Sequence, residues 1–504
     1  MNRFILSIAL ISAPLFSVGE SYRVEPITFP HWVAPEVGGI DFTPEGEIVV
    51  ALRRHGILIA TPTADPDTFG WRAFSTDSLH NSCGLQVISK SEMLVSQMPE
   101  LTRLTDTDGD GIADLYETVA DDWGISGNYH ETNALTPDGQ GGWYLAIGTA
   151  SHNGPTFYHT RGSFSDNGRK GRNFSAAPWK GWVVHSDPDG NITPIAKGFR
   201  AHNGIMIDPQ GRMFATDNQG DWRGTSPLYH IEKGNFYGHP SSLVWDEKFV
   251  REVSADPLQY YIENWDQYER DRTPAAVEFP HGFMCNSPSE PVVDTTKGGF
   301  GPFAGQMFIG DVAGDRILRV MLEEVDGIVQ GACVKFIEGE LGGGNNRLVF
   351  SPEGNALYVG QTFRGWSGRN TAEGMKRITF NGETPFAVKT ISIREDGFVL
   401  SFTKPLDAIA AKDLTNYTAK SYWYKSHYPY GSPQLDEVEL PISAAEVSPD
   451  RLSVRLTLSG LQTRRIVEFN FAESLVAQDG SQLGSSPLCY TIRRLPVAKM
   501  VAQK

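Results

Sequence analysis

FRAHNGIMIDPQGRMFATDNQGDWRGTSPLYHIEKGNFYGHP, residues 199–240, holds two short apolar runs on either side of a turn. Ile205, Met206 and Ile207 form the first run, and residues 213–216 form the second. Between them lie Pro209, Gln210 and Gly211. Proline pre-sets φ just inside a turn, and glycine supplies the positive φ at its end. A polar cluster flanks the hairpin: Arg200, His202, Asn203, Asp217, Asn218 and Asp221. One stretch thus carries both a structural unit and a candidate site.

The unit recurs along the chain. Residues 39–51 (GIDFTPEGEIVVA), 84–98 (GLQVISKSEMLVSQM), 133–149 (NALTPDGQGGWYLAIGT) and 346–362 (NRLVFSPEGNALYVGQT) repeat it, and 305–312 (GQMFIGDV) keeps its second strand. Most copies stand about 40–50 residues apart, the period of propeller blades. A strand–turn–strand unit cannot bury both of its faces alone. Arranged radially, such sheets bury one another and leave only short edges. The spacing predicts an all-β chain with a six-bladed β-propeller over residues 20–385.

Two intervals are longer and hold insertions. Residues 153–177 are rich in Gly, Ser, Asn and Arg and read as a long loop. Residues 244–279 include DPLQYYIENWDQYER at 256–270, with aromatics at helical spacing and an N-cap at Asp256. That helix either flaps beside the channel or packs outside. After Phe380 the turn repeat stops, and apolar and polar residues alternate in several runs through residue 494. This pattern predicts a small Ig-like β-sandwich over 386–497. Its run from Tyr422 to Tyr430 (YWYKSHYPY) is read as an inter-domain contact rather than a carbohydrate-facing loop.

Residues 1–19 combine a short basic head, an apolar run too brief to span a bilayer, and the small residues Ser17-Val18-Gly19. They predict a signal peptide and a periplasmic or secreted protein that does not span the membrane. The 504 residues carry 44 Lys+Arg against 60 Asp+Glu, a formal charge of -16. That field repels phosphate backbones and argues against nucleic acid as a partner. Cys83, Cys285, Cys333 and Cys489 lie in no CxxC or CxxCH pattern, which removes a c-type haem. They allow one or two disulfides, in any of three full pairings, or isolated buried thiols.

Residues 106–117, DTDGDGIADLYE, match the calcium-loop pattern D-x-D-x-D-G-x5-E. Side chains of Asp106, Asp108, Asp110 and Asp114 can face one point. Gly111 makes the sharp turn, the Ile112 carbonyl adds an oxygen, and Glu117 closes the sphere. The flanking sequence reads as strand, so the expectation is a hairpin stapled by Ca2+, not a switch.

His130, Arg200 and Arg347 hold comparable places at the start of three repeats, where a loop meets an inner strand near the channel. An imidazole with an ordinary pKa of about 6.5 takes a hydroxyl proton near neutral pH. Two guanidinium groups at one mouth suit an anionic ligand.

With these residues the chain resembles the soluble aldose (glucose/sorbosone) dehydrogenase propellers, over roughly residues 33–380. His130 and Leu135 are similar to the family's H-x-x-x-x-L motif, Arg200-Ala-His-Asn-Gly204 to its R-N-P-Q-G, and Gly234-Asn-Phe-Tyr-Gly-His-Pro240 to its G-x-N-Y-G-W-P. Asp106-Thr-Asp-Gly-Asp-Gly111 and Asp217-Asn-Gln-Gly-Asp-Trp222 resemble secreted propellers of the membrane-bound-dehydrogenase type. The resemblance implies an oxidoreductase that oxidises a sugar or other carbohydrate alcohol with pyrroloquinoline quinone (PQQ) and calcium. In it His130 is the catalytic base, and Arg200, Asn203 and Arg347 bind the cofactor. Ala201 stands where the family has Asn, and Thr225-Ser-Pro-Leu-Tyr229 replaces an acidic calcium-binding segment. Without a haem motif, the electron acceptor is a separate partner such as a cytochrome c. The competing readings are a glycan hydrolase or lyase using His130, His202 and Glu131 or Asp217, and a carbohydrate-binding propeller.

Overall fold

The structure is a computed structural model that describes residues 18–63, 68–75, 79–124, 133–151, 171–362 and 373–497. Most of the expected signal segment therefore lies outside the described residues. Among those residues, no helix is long and apolar enough to cross a membrane.

Six antiparallel four-stranded blades follow one another. Blade 1 is Val37–Phe42, Ile48–Leu52, Ile57–Pro62 and Phe69–Ala73. Blade 2 is Gly84–Ser89, Glu92–Ser96, Leu101–Thr105 and Leu115–Ala120. Blade 3 is Asn133–Pro137, Trp143–Ile147, Trp182–Ser186 and Ile192–Lys197. Blade 4 is Gly204–Ile207, Met213–Thr216, Ser226–Ile231 and Val277–Phe279. Blade 5 is Pro288–Val293, Met307–Asp311, Arg316–Val325 and Ile328–Glu338. Blade 6 is Asn345–Phe350, Ala356–Gln361 and Gly374–Phe380, completed by Tyr22–Ile27 from the start of the chain. The first strand of each blade touches the first strand of the next, and blade 6 touches blade 1, so the ring closes.

The repeat read from sequence is the inner hairpin of each blade, and its chemistry explains the geometry. In blade 4, Asp208 Oδ1 accepts from the backbone N–H of Gln210 at 3.0 Å and of Arg212 at 2.8 Å, and Gly211 sits at φ +80°. Glycine also opens several inner strands because neighbouring blades press there. A Cβ on Gly84 would come 2.6 Å from Leu135 Cβ, and one on Gly204 would come 2.4 Å from Glu290 Cα. Apolar side chains fill the wedges between blades, as with Leu94, Trp143, Leu145 and Trp182 between blades 2 and 3.

In the C-terminal part, Val388–Arg394, Gly397–Phe402, Ser453–Leu458 and Ile442–Val447 form one sheet. It faces Tyr417–Trp423, Leu435–Glu439, Arg465–Phe471 and Leu488–Ile492 across a core that includes Phe398, Leu456, Phe469 and Tyr490. This second sheet is not free-standing. Leu488–Ile492 pairs with Ile328–Glu338, Cys489 opposite Cys333, so blade 5 and this sheet form one eight-stranded surface. The reason is length: at 11 residues the outer strand of blade 5 is long enough to carry a foreign strand on its edge. All four cysteines are buried thiols outside any disulfide, which answers the question the sequence left open.

The insertion in blade 4 folds into three short helices, Glu247–Val253, Pro257–Glu263 and Trp265–Asp271. Asp256 caps the second, accepting from Gln259 N at 3.0 Å. Tyr261 and Tyr268 pack on Trp222 and Phe236, which seats the helices on blade 4. Of the insertion at 153–177, the described residues show Asn173–Phe174 paired with Ala150–Ser151.

Candidate functional site at the mouth of blade 4

The loop before the inner strand of blade 4 is held by one carboxylate. Asp217 accepts from the backbone N–H of Arg200 at 2.9 Å, Ala201 at 2.7 Å and Asn218 at 2.8 Å, and from Arg223 Nε at 3.0 Å. Burial alone would raise its pKa. Arg223, His202 and the backbone donors outweigh that and keep it below the ordinary carboxylate value. Ala201 therefore serves through its backbone N–H.

Arg200 is 3% exposed, and its Nε donates to Asp221 Oδ1 at 2.8 Å. Its two terminal amino groups have no acceptor among the described residues. Asp221 Oδ2 accepts from Asn173 N at 3.2 Å and lies 3.2 Å from His239 Nε2, whose Nδ1 is 2.8 Å from Ser241 Oγ. Burial lowers the pKa of His239, with Asp221 offsetting part of the shift. The neutral ring donates from Nε2 to Asp221 and accepts from Ser241. At Asp221 burial opposes ionisation, yet Arg200 and His239 hold the carboxyl far below its usual range. The position of Gly220 permits this close packing: a Cβ there would lie 2.1 Å from Arg200 Nε.

Two further buried groups are only half satisfied. Asn203 Nδ2 donates to Asn346 Oδ1 at 2.9 Å, and Asn173 Nδ2 donates to Thr149 Oγ1 at 3.2 Å. The Oδ1 of each has no hydrogen-bond partner. An unmet buried polar atom costs about 1–3 kcal/mol, so water or a ligand with donors would relieve both.

The C-terminal part reaches this mouth. Trp222 N donates to the His427 carbonyl at 2.7 Å, Gly431 N to Gly220 O at 2.9 Å, and Ser432 N to Gly224 O at 3.0 Å. The aromatic run is thus an inter-domain contact, as its sequence suggested. It is also more than that: Tyr428 and Tyr430 stay 44% and 53% exposed. The Arg172 and Arg200 guanidinium carbons lie 4.6 Å and 5.3 Å from the Tyr430 ring centroid.

Arg347 occupies a different place from Arg200. It is 1% exposed and ties four blades together at the ring axis. Nε donates to Gly38 O at 2.9 Å and Cys83 O at 3.2 Å. Nη1 donates to Asn203 O and Asn346 O, both at 2.9 Å, and Nη2 to Cys83 O at 2.5 Å. The expected cofactor role for Arg347 meets a guanidinium whose every nitrogen already serves the backbone. His130 and Glu131 lie outside the described residues. His202 is fully buried, its Nε2 donates to Trp182 O at 3.0 Å, and its ring stacks on Phe199. Burial brings its pKa down to about 4. Asp217 is likewise fully buried, and its described hydrogen bonds go to the loop itself.

The acidic loop lies away from the axis, between the two outer strands of blade 2. Ligand atoms of Asp106, Asp108 and Asp110 lie within 4.8 Å of one another. Asp106 also accepts from Gly109 N at 2.7 Å and Gly111 N at 2.9 Å, and Asp110 from Ile112 N at 2.8 Å. Asp114 is turned aside: it accepts from Thr107 N at 2.9 Å and Thr107 Oγ1 at 2.7 Å. Glu117 lies in the exposed strand Leu115–Ala120 and stands outside the trio. Three of the five expected carboxylate ligands are therefore gathered.

Sequence reasoning missed Arg172, Asn173, His239 and Tyr430 as parts of the mouth. The first two sit at the end of a loop with no repeat signal, and Tyr430 arrives from more than two hundred positions away. Gly-His239-Pro lay inside a quoted motif and could have been found there.

A family model described as a domain of unknown function (DUF7133) matches residues 71–268. No curated protein sequence matches the chain. Among solved structures, a Trichoderma reesei carbohydrate-active enzyme of family AA12, in its iodide structure, is 12% identical with a TM-score of 0.51, covering 76% of this chain and 100% of its own. The calcium structure of that family from the same organism gives 12% identity and a TM-score of 0.50, covering 72% and 96%. The PQQ domain of a pyranose dehydrogenase from Coprinopsis cinerea gives 14% and 0.49, covering 71% and 95%. At such identities the likeness is one of fold alone.

Proposed function

We propose that the chain oxidises a sugar or other carbohydrate alcohol at the mouth of blade 4, with pyrroloquinoline quinone as the bound oxidant. The observation that carries this reading is the pair of Arg200 amino groups with no acceptor among the described residues, three residues from the unmet Asn203 Oδ1. Buried donors and acceptors left open at a ring mouth fit a polar, anionic ligand. Arg200 and Asn203 fit such a cofactor, whereas Arg347, with its nitrogens committed to carbonyls, is left out of its binding. When bound, the quinone would supply the two-electron acceptor that no side chain provides.

The chain's own groups do the rest. Asp221 fixes the Arg200 plane through Nε and leaves the outer edge to meet a carboxylate. Asn203 orients the ligand through its open oxygen. His130, a candidate from sequence, takes the hydroxyl proton of the sugar. A calcium ion held by Asp106, Asp108 and Asp110 staples the rim of blade 2 and takes no part in the reaction. Electrons leave to a separate acceptor. The basic head and apolar run at 1–17 support export to the periplasm or beyond.

The test is an absorbance titration with quinone plus calcium, followed by dye reduction with sugars. Reduction that disappears in His130→Ala, with the melting temperature kept, supports the reading. A flat spectrum and no dye reduction would remove it. The half-exposed tyrosines favour a second reading, a carbohydrate-binding propeller, and saturable sugar binding without turnover would select it.

A further inference from the structure

Tyr430 stands between the C-terminal sheets and the mouth, and its surroundings carry chemistry that the oxidation reading does not use. Its loop is fixed by three backbone hydrogen bonds to residues 220–224. Its ring is nonetheless 53% exposed, and its hydroxyl has no partner among the described residues. Arg172, an exposed residue, lies 4.6 Å from that ring and forms no ion pair among the described residues. Deeper in, Asn173 Oδ1 is a buried acceptor without a donor. The loop is firmly tied, yet it presents two tyrosines to solvent beside a cation that is unpaired among the described residues.

These groups ask for a particular ligand. An aromatic face takes the apolar face of a ring. An unmet amide oxygen takes a hydroxyl. A free guanidinium takes a carboxylate, bidentately. In a chain of formal charge -16 an unpaired arginine at the mouth also sets a local field opposite to that of the rest of the molecule. We propose that the substrate is a sugar acid, a pyranose carrying a carboxylate. Its ring lies against Tyr430, its carboxylate meets Arg172, and a hydroxyl donates to Asn173 Oδ1. The C-terminal part of the chain is thereby a specificity element of the mouth. The inference deepens the oxidation reading and rests on it only for the word substrate, since binding can be measured without turnover.

The experiment is calorimetric titration of the full chain with galacturonate, with galactose as its neutral counterpart, and with acetate as the anion alone. Galacturonate should bind about tenfold or more tighter than galactose, and acetate should compete weakly. Arg172→Gln should erase the preference and keep the affinity for galactose. Tyr430→Ala should weaken both sugars about tenfold. Tyr430→Phe should behave as the wild type, which guards against a folding artefact, and melting temperatures should be unchanged throughout. Equal affinity for the two sugars, a preference that survives Arg172→Gln, acetate competing as well as galacturonate, or no binding of either sugar would overturn the proposal. Galacturonate binding alongside failed dye reduction would remove the oxidation reading alone.

Discussion

Arg200 lies in the loop before the inner strand of blade 4 and Arg347 within the inner strand of blade 6; both are buried, and they do opposite things. At the axis, Arg347 spends its nitrogens on carbonyls from blades 1, 2, 4 and 6. At the mouth, Arg200 spends one nitrogen on Asp221 and keeps two open. The difference lies in what surrounds the guanidinium, not in the residue type or its depth. A buried cation whose donors are used up is a structural tie. One held in place by a neighbour, with an edge to spare, is a binding group.

The same substitution at both positions should therefore give opposite phenotypes, and this is the largest effect expected. Arg347→Lys puts a point charge where a planar fork reached several carbonyls, and should lower stability by about 3 kcal/mol. Denaturant unfolding reads it as a lowered midpoint. Arg200→Lys keeps a cation beside Asp221, so the midpoint should move far less while quinone binding falls. Similar midpoints for the two variants would break the comparison.

A second buried group tests the saturated region by pH. The pKa of His202 in the fold is about 4 against an ordinary 6.5, because burial disfavours the charged ring. On acidification the unfolded chain takes up the proton first. The stability is thus fully present above pH 6.5 and is lost as pH falls from there to about 4, by about 3 kcal/mol. His239 and His230 shift in the same direction and steepen the loss. His202→Gln should remove one proton from the pH dependence of unfolding over that window. An unchanged slope would mean that the imidazole is already hydrated.

The sequence made the ring legible and left the mouth half-legible for a physical reason. Inner hairpins carry their own turn chemistry, such as Asp208 with Gly211, so their period survives in the chain. Strand swaps carry none: nothing local marks Tyr22–Ile27 as the closing strand of blade 6, or Leu488–Ile492 as the neighbour of blade 5. The site follows the same division. Arg200 and Asn203 flank a hairpin and could be read. The commitment of Arg347 could not, because its acceptors come from four blades. Tyr430 was visible as an aromatic run, but its place beside Arg172 exists only once the C-terminal part is docked.

The calcium loop extends the comparison to the rim. Its three gathered carboxylates accept backbone hydrogen bonds and face one another, while Arg72 reaches the loop through the Gly111 carbonyl at 3.3 Å. Calcium at a hundred times its dissociation constant should add about 2.7 kcal/mol. A chelator should reverse that gain, and Asp108→Ala should abolish it. Since Asp114 is bound to Thr107, Asp114→Asn should change calcium affinity less than Asp108→Ala does. A rise in melting temperature on adding calcium that is equal in both variants would show that the ion binds elsewhere.

The smallest effect concerns groups that are inert because they are enclosed. Cys333 and Cys489 face each other across blade 5 and the C-terminal sheet, and the Cys333 thiol donates weakly to Cys489 O at 3.7 Å. Burial raises both thiol pKa values, so little thiolate exists to exchange or oxidise. If the pair stays reduced, added reductant should leave the melting temperature unchanged, and a thiol reagent should label no cysteine until the chain unfolds. If a bridge formed there after export, its reduction would cost about 2–5 kcal/mol and show as a clear fall in melting temperature. The shared eight-stranded sheet already fastens the two parts of the chain by backbone pairing. The thiols are therefore packing atoms at a seam that holds without them, and an unmoved transition under reductant is what that arrangement requires.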